Sequence, residues 1–316
     1  MKKPSINILA FDTSNYTTSA CVFNSFFGVQ WEKRSILRVR PGECGVRQND
    51  AVFLHNQTLG ELFKDYIKED IDIVAASSCP SERENSYMPC FTVGMSFGKA
   101  VSKILGVPFY SCSHQKNHIA AAIFSSGAIG LLNIPFIAYH ISGGTTDICL
   151  CLPSKKGVFS VQKVGGTADI SCGQLIDRVG VKMDLPFPCG KRMEMLSHDK
   201  LSGNIKIKNN DGYYNFSGFQ NKADDMMLHG ESPEDIATYT LNTVYSFILD
   251  SVKFCREKFG NLPILMSGGV TSNKIISEHV LSNIDNIYFS TPEFSCDHSV
   301  GTAFLCAYER GHLNDR

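Results

Sequence analysis

The sequence of 316 residues has almost no net charge, because 30 Lys and Arg stand against 31 Asp and Glu and leave −1 with histidine neutral. So small an excess excludes a molecule that holds nucleic acid by a global basic field, and any RNA contact must be local. Long apolar runs are missing too. The longest, such as Leu131–Ile141, contain polar residues and fall far short of the roughly 20 residues of a membrane span. Met1-Lys2-Lys3-Pro4 leads into the strand-like Ile6-Asn7-Ile8-Leu9-Ala10 and not into the apolar core of a signal peptide, so a cytoplasmic chain without membrane contact is expected. No Cys-x-x-Cys pair occurs. The twelve cysteines are scattered and several lie in apolar strand-like runs, which reads as buried reduced thiols. The Walker and dinucleotide fingerprints are also absent, which disfavours a P-loop or Rossmann site.

What is present suits a two-lobed α/β protein. Apolar residues make up 43% and charged residues 19%, and the length fits two lobes of roughly 130–180 residues. Strand patterns over 6–13, 19–24 and 29–33 open the chain, and a helical pattern follows from about Asp50 to Lys68. Strands over 71–76 and 108–111 flank a helix over 91–105, and a further helix runs from His114 to a stop at Gly127. The pattern then restarts. Ala10–Val22 and Ala138–Leu150 align at an offset of 128 with five identities in 13 positions, including Ser14/Ser142, Thr17/Thr145 and Thr18/Thr146. Each copy is an apolar strand, a Ser/Thr turn and a second apolar strand, so a duplicated α/β architecture is expected, with one turn per lobe facing a cleft. The second half continues with a strand over 158–164 and a helix over 172–181. The polar stretch 202–211 reads as a surface hairpin or mobile loop, and an amphipathic helix spans 233–259.

Three constellations carry possible chemistry. Ser142-Gly143-Gly144-Thr145-Thr146 and Ser267-Gly268-Gly269 each follow an apolar strand, where glycine lets backbone N–H groups approach phosphate oxygens and hydroxyls add donors. After the second of these, Val270 to Asn273 lead into a helix whose positive end suits an anion. His114 and His118 fall at i and i+4 behind the capping residue Ser113, a spacing at which two imidazoles can grip one cation. Asp297 is the acid best placed to join them, and two His with one carboxylate suit Fe(II) or Zn(II) over Mg or Ca. Asp12, Asp169 and Asp177 are the remaining polar candidates, each equally readable as a helix cap or surface group. Lys33, Arg34, Arg38 and Arg40, with Arg47, form the best local basic patch.

The motifs together resemble the tRNA N6-adenosine threonylcarbamoyltransferases, the TsaD type once classed as glycoproteases. The resemblance rests on Phe11-Asp12-Thr13-Ser14, the His114/His118 pair, Ile141-Ser142-Gly143-Gly144, Phe216-Ser217-Gly218, Ser267 to Asn273 and Cys296-Asp297. It implies the duplicated fold shared by actin, Hsp70 and sugar kinases, with two lobes around a nucleotide cleft. An N-terminal lobe is expected over 1–128, with the terminal helix of 296–316 packing back on it, and a C-terminal lobe over 129–295. By this similarity His114, His118 and Asp297 would hold one divalent metal. His140, Ile141, Ser142, Gly143 and Gly144 would contact threonylcarbamoyl-AMP, Asp177 its ribose, and Gly190 and Asn273 the nucleoside. The implied reaction transfers the threonylcarbamoyl group to N6 of adenosine 37 in tRNAs reading ANN codons, aided by a TsaB-like pseudo-transferase subunit and a TsaE-like ATPase. No catalytic acid or base is assigned.

Several positions depart from the family pattern. Lys116 and Asn117 replace Glu and Gly between the histidines, Thr145 replaces a His, and Gln174 replaces an acid. Asn15 and Tyr16 lie in an opening motif that has lost two acids, and Cys79 to Asn85 replace a Gly-Pro-Gly loop. The ligand framework survives better than its surroundings, so a nucleotide- and metal-binding paralogue that regulates or scaffolds the system is the alternative reading.

Overall fold

The structure, a computed structural model, describes residues 4–14, 16–37, 46–66, 69–155 and 157–313. The chain divides into two compact units, one of residues 1–132, 153–160 and 296–316 and the other of residues 133–152 and 161–295.

The first unit is built on β1 (Asn7–Ser14), β2 (Thr17–Asn24), β3 (Gly28–Ile36), β4 (Ile73–Ser77) and β5 (Phe109–Cys112), in the order β3-β2-β1-β4-β5. Its helices are α1 (Gln48–Glu61), α2 (Phe91–Leu105) and α3 (His114–Ser126). All but the first residue of β1 is buried, as expected of a strand covered on both faces. Phe11 packs with Val22, Val74 and Val93 on the α2 side, while the last helix of the chain, α9 (Val300–Glu309), covers β1 and β2 and lies along α3.

The second unit contains β6 (Phe136–Ile141), β7 (Thr146–Pro153), β8 (Phe159–Thr167), α4 (Cys172–Lys182), α5 (Gly190–Leu196) and β9 (Tyr213–Tyr214). It continues with α6 (Ser217–Leu228), α7 (Pro233–Phe259), β10 (Ile264–Ser267), α8 (Lys274–Asn283) and β11 (Ile287–Phe289), and its sheet runs β11-β10-β6-β7-β8-β9. Read from the other edge, β8-β7-β6-β10-β11 repeats the order of the first sheet. The registers repeat as well. Ala10 pairs with Cys21 and Ala138 with Cys149, Thr13 with Thr18 and Ile141 with Thr146, each at the offset of 128. The duplicated α/β fold is therefore present down to the pairing of individual residues.

Helix boundaries follow local chemistry. Ser232 accepts the Asp235 N–H at the start of α7, Pro233 occupies its first turn, and Gly260 ends it at φ +83°. One expectation is corrected. The stretch 202–211 is not a full hairpin, since only Asn210 bridges Tyr213. The rest lies extended along α7, where the Gly203 N–H donates to Asn242 Oδ1 at 2.9 Å and the Ile205 N–H to Ser246 Oγ at 3.2 Å. Leu201 and Ile207 are buried beneath it. No disulfide forms among the described residues, and nine of their cysteines are buried. Among the described residues no helix is long and apolar enough to cross a membrane.

Candidate functional site

In the first unit α3 sets the geometry. Ser113 Oγ accepts the Lys116 N–H and fixes the helix start, so His114 and His118 rise one turn apart on one face. Their Nε2 atoms lie 2.9 Å apart. Asp297 Oδ1 is 3.0 Å from His118 Nε2 and 3.5 Å from His114 Nε2, so the three donor atoms converge within 4.8 Å. Asp297 precedes α9, and Asn117 ties that junction to α3. Its Nδ2 donates to the His298 carbonyl, and its Oδ1 accepts the Thr302 N–H at 2.8 Å.

Asp12 completes the cluster from the middle of the unit. Fully buried on β1, it lies 3.1 Å from His114 Nδ1 through Oδ1 and accepts the Ser14 hydroxyl through Oδ2. A proton on Nδ1 shared with Asp12 leaves the Nε2 lone pair of His114 facing His118 and Asp297. With the His118 proton likewise on Nδ1, three acceptors crowd one point, which a cation satisfies. Ligand atoms at about 2.05 Å from a metal stand about 2.9 Å apart in an octahedral face and about 3.3 Å apart in a tetrahedron. The observed 2.9–3.5 Å fits either, and a carboxylate behind a ligand imidazole is the usual orienting partner. The residues thus fit a divalent cation of the kind bound by two His and one carboxylate.

The electrostatics agree. Burial disfavours protonated His114, but the charge and hydrogen bond of Asp12, with Asp297 behind them, outweigh it and raise the imidazole to about 10. Burial likewise opposes ionised Asp297, yet the hydrogen bonds and charges of His114 and His118 hold its carboxyl well below the usual range. Protein folded without metal keeps a proton where the cation would go.

In the second unit the Ser142–Thr145 turn closes on itself, since the Ser142 N–H donates to the Thr145 carbonyl at 2.9 Å and the Thr145 N–H to Ser142 Oγ at 3.2 Å. The start of α4 seats against it. Ser171 Oγ donates to the Gly143 carbonyl, and a Cβ on Gly173 would fall 2.4 Å from both Gly143 Cα and the Ser142 carbonyl oxygen. By contrast, a Cβ on Gly143 or Gly144 would meet nothing within 4 Å, so the fold leaves open space over those two residues. His140 Nδ1 lies 3.3 Å from Ser267 Oγ, and the buried Ile141 contributes its carbonyl, which accepts the Val270 N–H.

Asp177 and Gly190 are brought together by a hydrogen bond from the Cys189 N–H to Asp177 Oδ1 at 2.7 Å, just ahead of Gly190 at the start of α5. Asn273 is the buried cap of α8, its Oδ1 accepting the Ile276 N–H. Asp169 has a structural role. Its carboxylate accepts the Phe216 and Ser217 N–H groups, both at 2.8 Å, and caps α6. Although partial burial works against its ionised form, those bonds lower its pKa.

The departures are absorbed into local structure. Lys116 points away from the histidines and is buried, with Nζ 2.6 Å from Glu82 and 2.9 Å from the Gly157 carbonyl. Gln174 closes a capping box with Ser171, and the Thr145 hydroxyl meets Ser142 Oγ at 3.2 Å. Of the basic patch, Lys33 lies 3.9 Å from Asp65 and Arg34 donates to Cys296 Sγ, while Arg38 and Arg40 lie outside the described residues.

Comparison with known proteins follows the same lines. A family model described as tRNA N6-adenosine threonylcarbamoyltransferase, TsaD, matches residues 47–304. A protein of that name from Metamycoplasma arthritidis is 25% identical over 319 residues, covering 98% of this chain and 99% of its own length. Another from Methanopyrus kandleri is 24% identical, covering 86% and 80%. Among solved structures, full-length HypF in a phosphate- and nucleotide-bound form superposes with a TM-score of 0.57 at 14% identity over 99% of this chain. The chain spans 58% of that protein. The 2-hydroxyisocaproyl-CoA dehydratase activator from Clostridium difficile, with bound ADPNP, gives 0.51 at 12% identity, covering 97% and 94%. These structures share the two-lobed α/β fold of the actin, Hsp70 and sugar-kinase class.

Proposed function

The chain belongs to the tRNA N6-adenosine threonylcarbamoyltransferase family, and on that premise we propose that it transfers a threonylcarbamoyl group from threonylcarbamoyl-AMP to N6 of adenosine 37 in ANN-decoding tRNA. The observation that carries this reading is the convergence of His114, His118 and Asp297 on one point, with Asp12 orienting His114 from behind. These three residues hold one divalent cation, Fe(II) or Zn(II). Bound there, it supplies a Lewis acid for a carbonyl or an anchor for the threonine-derived end of the substrate.

The remaining work falls to the second unit. The open backbone of Gly143 and Gly144, with the hydroxyls of Ser142 and Thr145, receives the phosphate of the adenylate. His140 and Ile141 set the direction of that turn from the end of β6. Asp177 takes a ribose hydroxyl, and Gly190 and Asn273 border the nucleoside. Attack by the adenosine amine on the carbamoyl carbon then forms the N6–carbon bond and breaks the bond from that carbon to the phosphate oxygen, expelling AMP while the amine proton passes to solvent. A cytoplasmic setting and help from a TsaB-like subunit and a TsaE-like ATPase belong to the same reading.

A second reading keeps both ligands without the transfer. The acids that the family carries near Lys116 and Gln174 are replaced here by groups committed to an ion pair and a helix cap, which favours a binding paralogue that regulates or scaffolds the system. Purified protein offered threonylcarbamoyl-AMP and tRNA, with and without the partner proteins, separates the two. Transfer by wild type that is lost in His114→Ala and Asp297→Ala supports the first. Metal and nucleotide binding without any modified adenosine supports the second.

A further inference from the structure

In the basic patch anticipated at Lys33–Arg40, Lys33 lies near Asp65, and a second segment concentrates positive charge. Residues 191–208 carry Lys191, Arg192, Lys200, Lys206 and Lys208 against Glu194 and Asp199, a balance of +3 in a chain whose total is −1. Glu194 is occupied elsewhere, its carboxylate accepting the Lys274 N–H at 3.0 Å.

The geometry of the segment is unusual for a stretch outside any sheet. From Leu201 to Asn210 exposure alternates without a break, and the outward row is Ser202, Asn204, Lys206, Lys208 and Asn210. It contains no acid. The inward row is held by α7, whose Asn242 and Ser246 take successive inward N–H groups and whose Asp250 receives Asn209 Nδ2 at 3.2 Å. Four helical residues advance about 6 Å and two extended residues about 6.7 Å, so Asn242 and Ser246 hold Gly203 and Ile205 in step. The outward side chains are therefore set at a fixed spacing similar to that of consecutive phosphates along a nucleic acid strand. Four lysines of this unit face carboxylates, Lys163 with Asp147, Lys182 with Asp224, Lys253 with Glu257 and Lys258 with Asp211. Lys206 and Lys208 make no ion pair among the described residues.

We propose that the outward face of residues 201–210 binds the phosphate backbone of the tRNA substrate, Lys206 and Lys208 supplying the charge and Ser202, Asn204 and Asn210 neutral donors. The inference rests on the reading of tRNA as substrate given above. It also accounts for a near-neutral chain engaging a polyanion, because the cations are concentrated on one outward row.

The test uses the full chain and a fluorescently labelled ANN-decoding tRNA, with anisotropy recorded between about 50 and 200 mM KCl. Each phosphate contact is worth about eightfold in affinity near 0.1 M salt, so Lys206→Glu/Lys208→Glu should weaken binding by about tenfold to sixtyfold. The slope of log affinity against log salt should fall by about 2, in this variant and in the milder Lys206→Gln/Lys208→Gln. AMP binding should be retained in both, which reports an intact second unit. Lys253→Glu, on α7 beside Glu257, serves as a control of equal kind and should change affinity less than about twofold. Wild-type affinity and slope in the Lys206/Lys208 variants would overturn the proposal, as would an equal loss in Lys253→Glu. Failure of wild type to bind tRNA at all would overturn the substrate reading with it.

Discussion

Glu82→Gln tests how the first unit accommodates a lysine where its family carries an acid. The Lys116 side chain is 4% exposed, and its ammonium lies against the Glu82 carboxylate, the Gly157 carbonyl and the face of Phe159, 5.7 Å from the ring centre. Breaking a buried ion pair costs about 3–5 kcal/mol, because the remaining charge is stranded. Glu82 is 36% exposed, so water screens part of the interaction and the expected cost falls to about 2 kcal/mol. Lys116→Met removes the buried charge itself and leaves Glu82 where water can solvate it, so it should cost less, about 1 kcal/mol. The double variant Lys116→Met/Glu82→Gln should match Lys116→Met. Urea unfolding of metal-stripped protein reads these values through Trp31, the single tryptophan, which packs against Phe63 and Tyr66 in the same unit. Glu82→Gln within about 0.5 kcal/mol of wild type, or Lys116→Met the costlier change, would refute the reasoning.

Other outcomes follow from the same geometry. His114 is raised to about 10 in the metal-free fold, whereas a ligand imidazole is neutral, so cation uptake near pH 8 should release about one proton. Calorimetry in buffers of different ionisation heat measures that release, which should fade above pH 10. The sign for stability is fixed as well. The folded value exceeds the ordinary 6.5, so the contribution of His114 is complete below about pH 6.5 and is lost as pH rises through about 10, lowering the Tm of metal-free protein over that window. Gly173→Ala drives a Cβ into the Ser142–Gly143 backbone and should cost about 1–3 kcal/mol with a loss of AMP affinity. Gly144→Ala should leave stability unchanged while weakening AMP binding, because that Cβ meets only the space a ligand would use. Asp169→Asn should destabilise by about 1 kcal/mol at neutral pH. Since Asp169 is lowered in the folded state, the difference should vanish as pH falls through its folded pKa.

Much of this was legible in the sequence, and the reasons differ by element. The repeat at an offset of 128 foretold a duplicated sheet because paired strands carry their register in the residues that meet, and Ala10/Cys21 recurs as Ala138/Cys149. The spacing of His114 and His118 foretold a shared helix face because Ser113 and Gly127 mark both ends locally. Asp12 could be named but not placed, since a separation of 102 positions from His114 leaves no local trace of their contact. Asn117 read only as a departure, because its two bonds reach His298, just before α9, and Thr302 within it. α6 escaped notice for a related reason: it buries only Ala223 and Met226, and its cap comes from Asp169. The stretch 202–211 looked mobile because its inward contacts are made by polar side chains of a distant helix, not by an apolar stripe.

The convergence of His114, His118 and Asp297 on one cation is tested most directly by titrating chelator-stripped protein with Co(II), reading heat and the visible absorption of the bound ion. One site per chain is expected, with a low-symmetry nitrogen and oxygen spectrum that disappears in Asp297→Ala and weakens in Asp12→Asn. Absence of a site in wild type, or binding of equal strength and spectrum in Asp297→Ala, would contradict it.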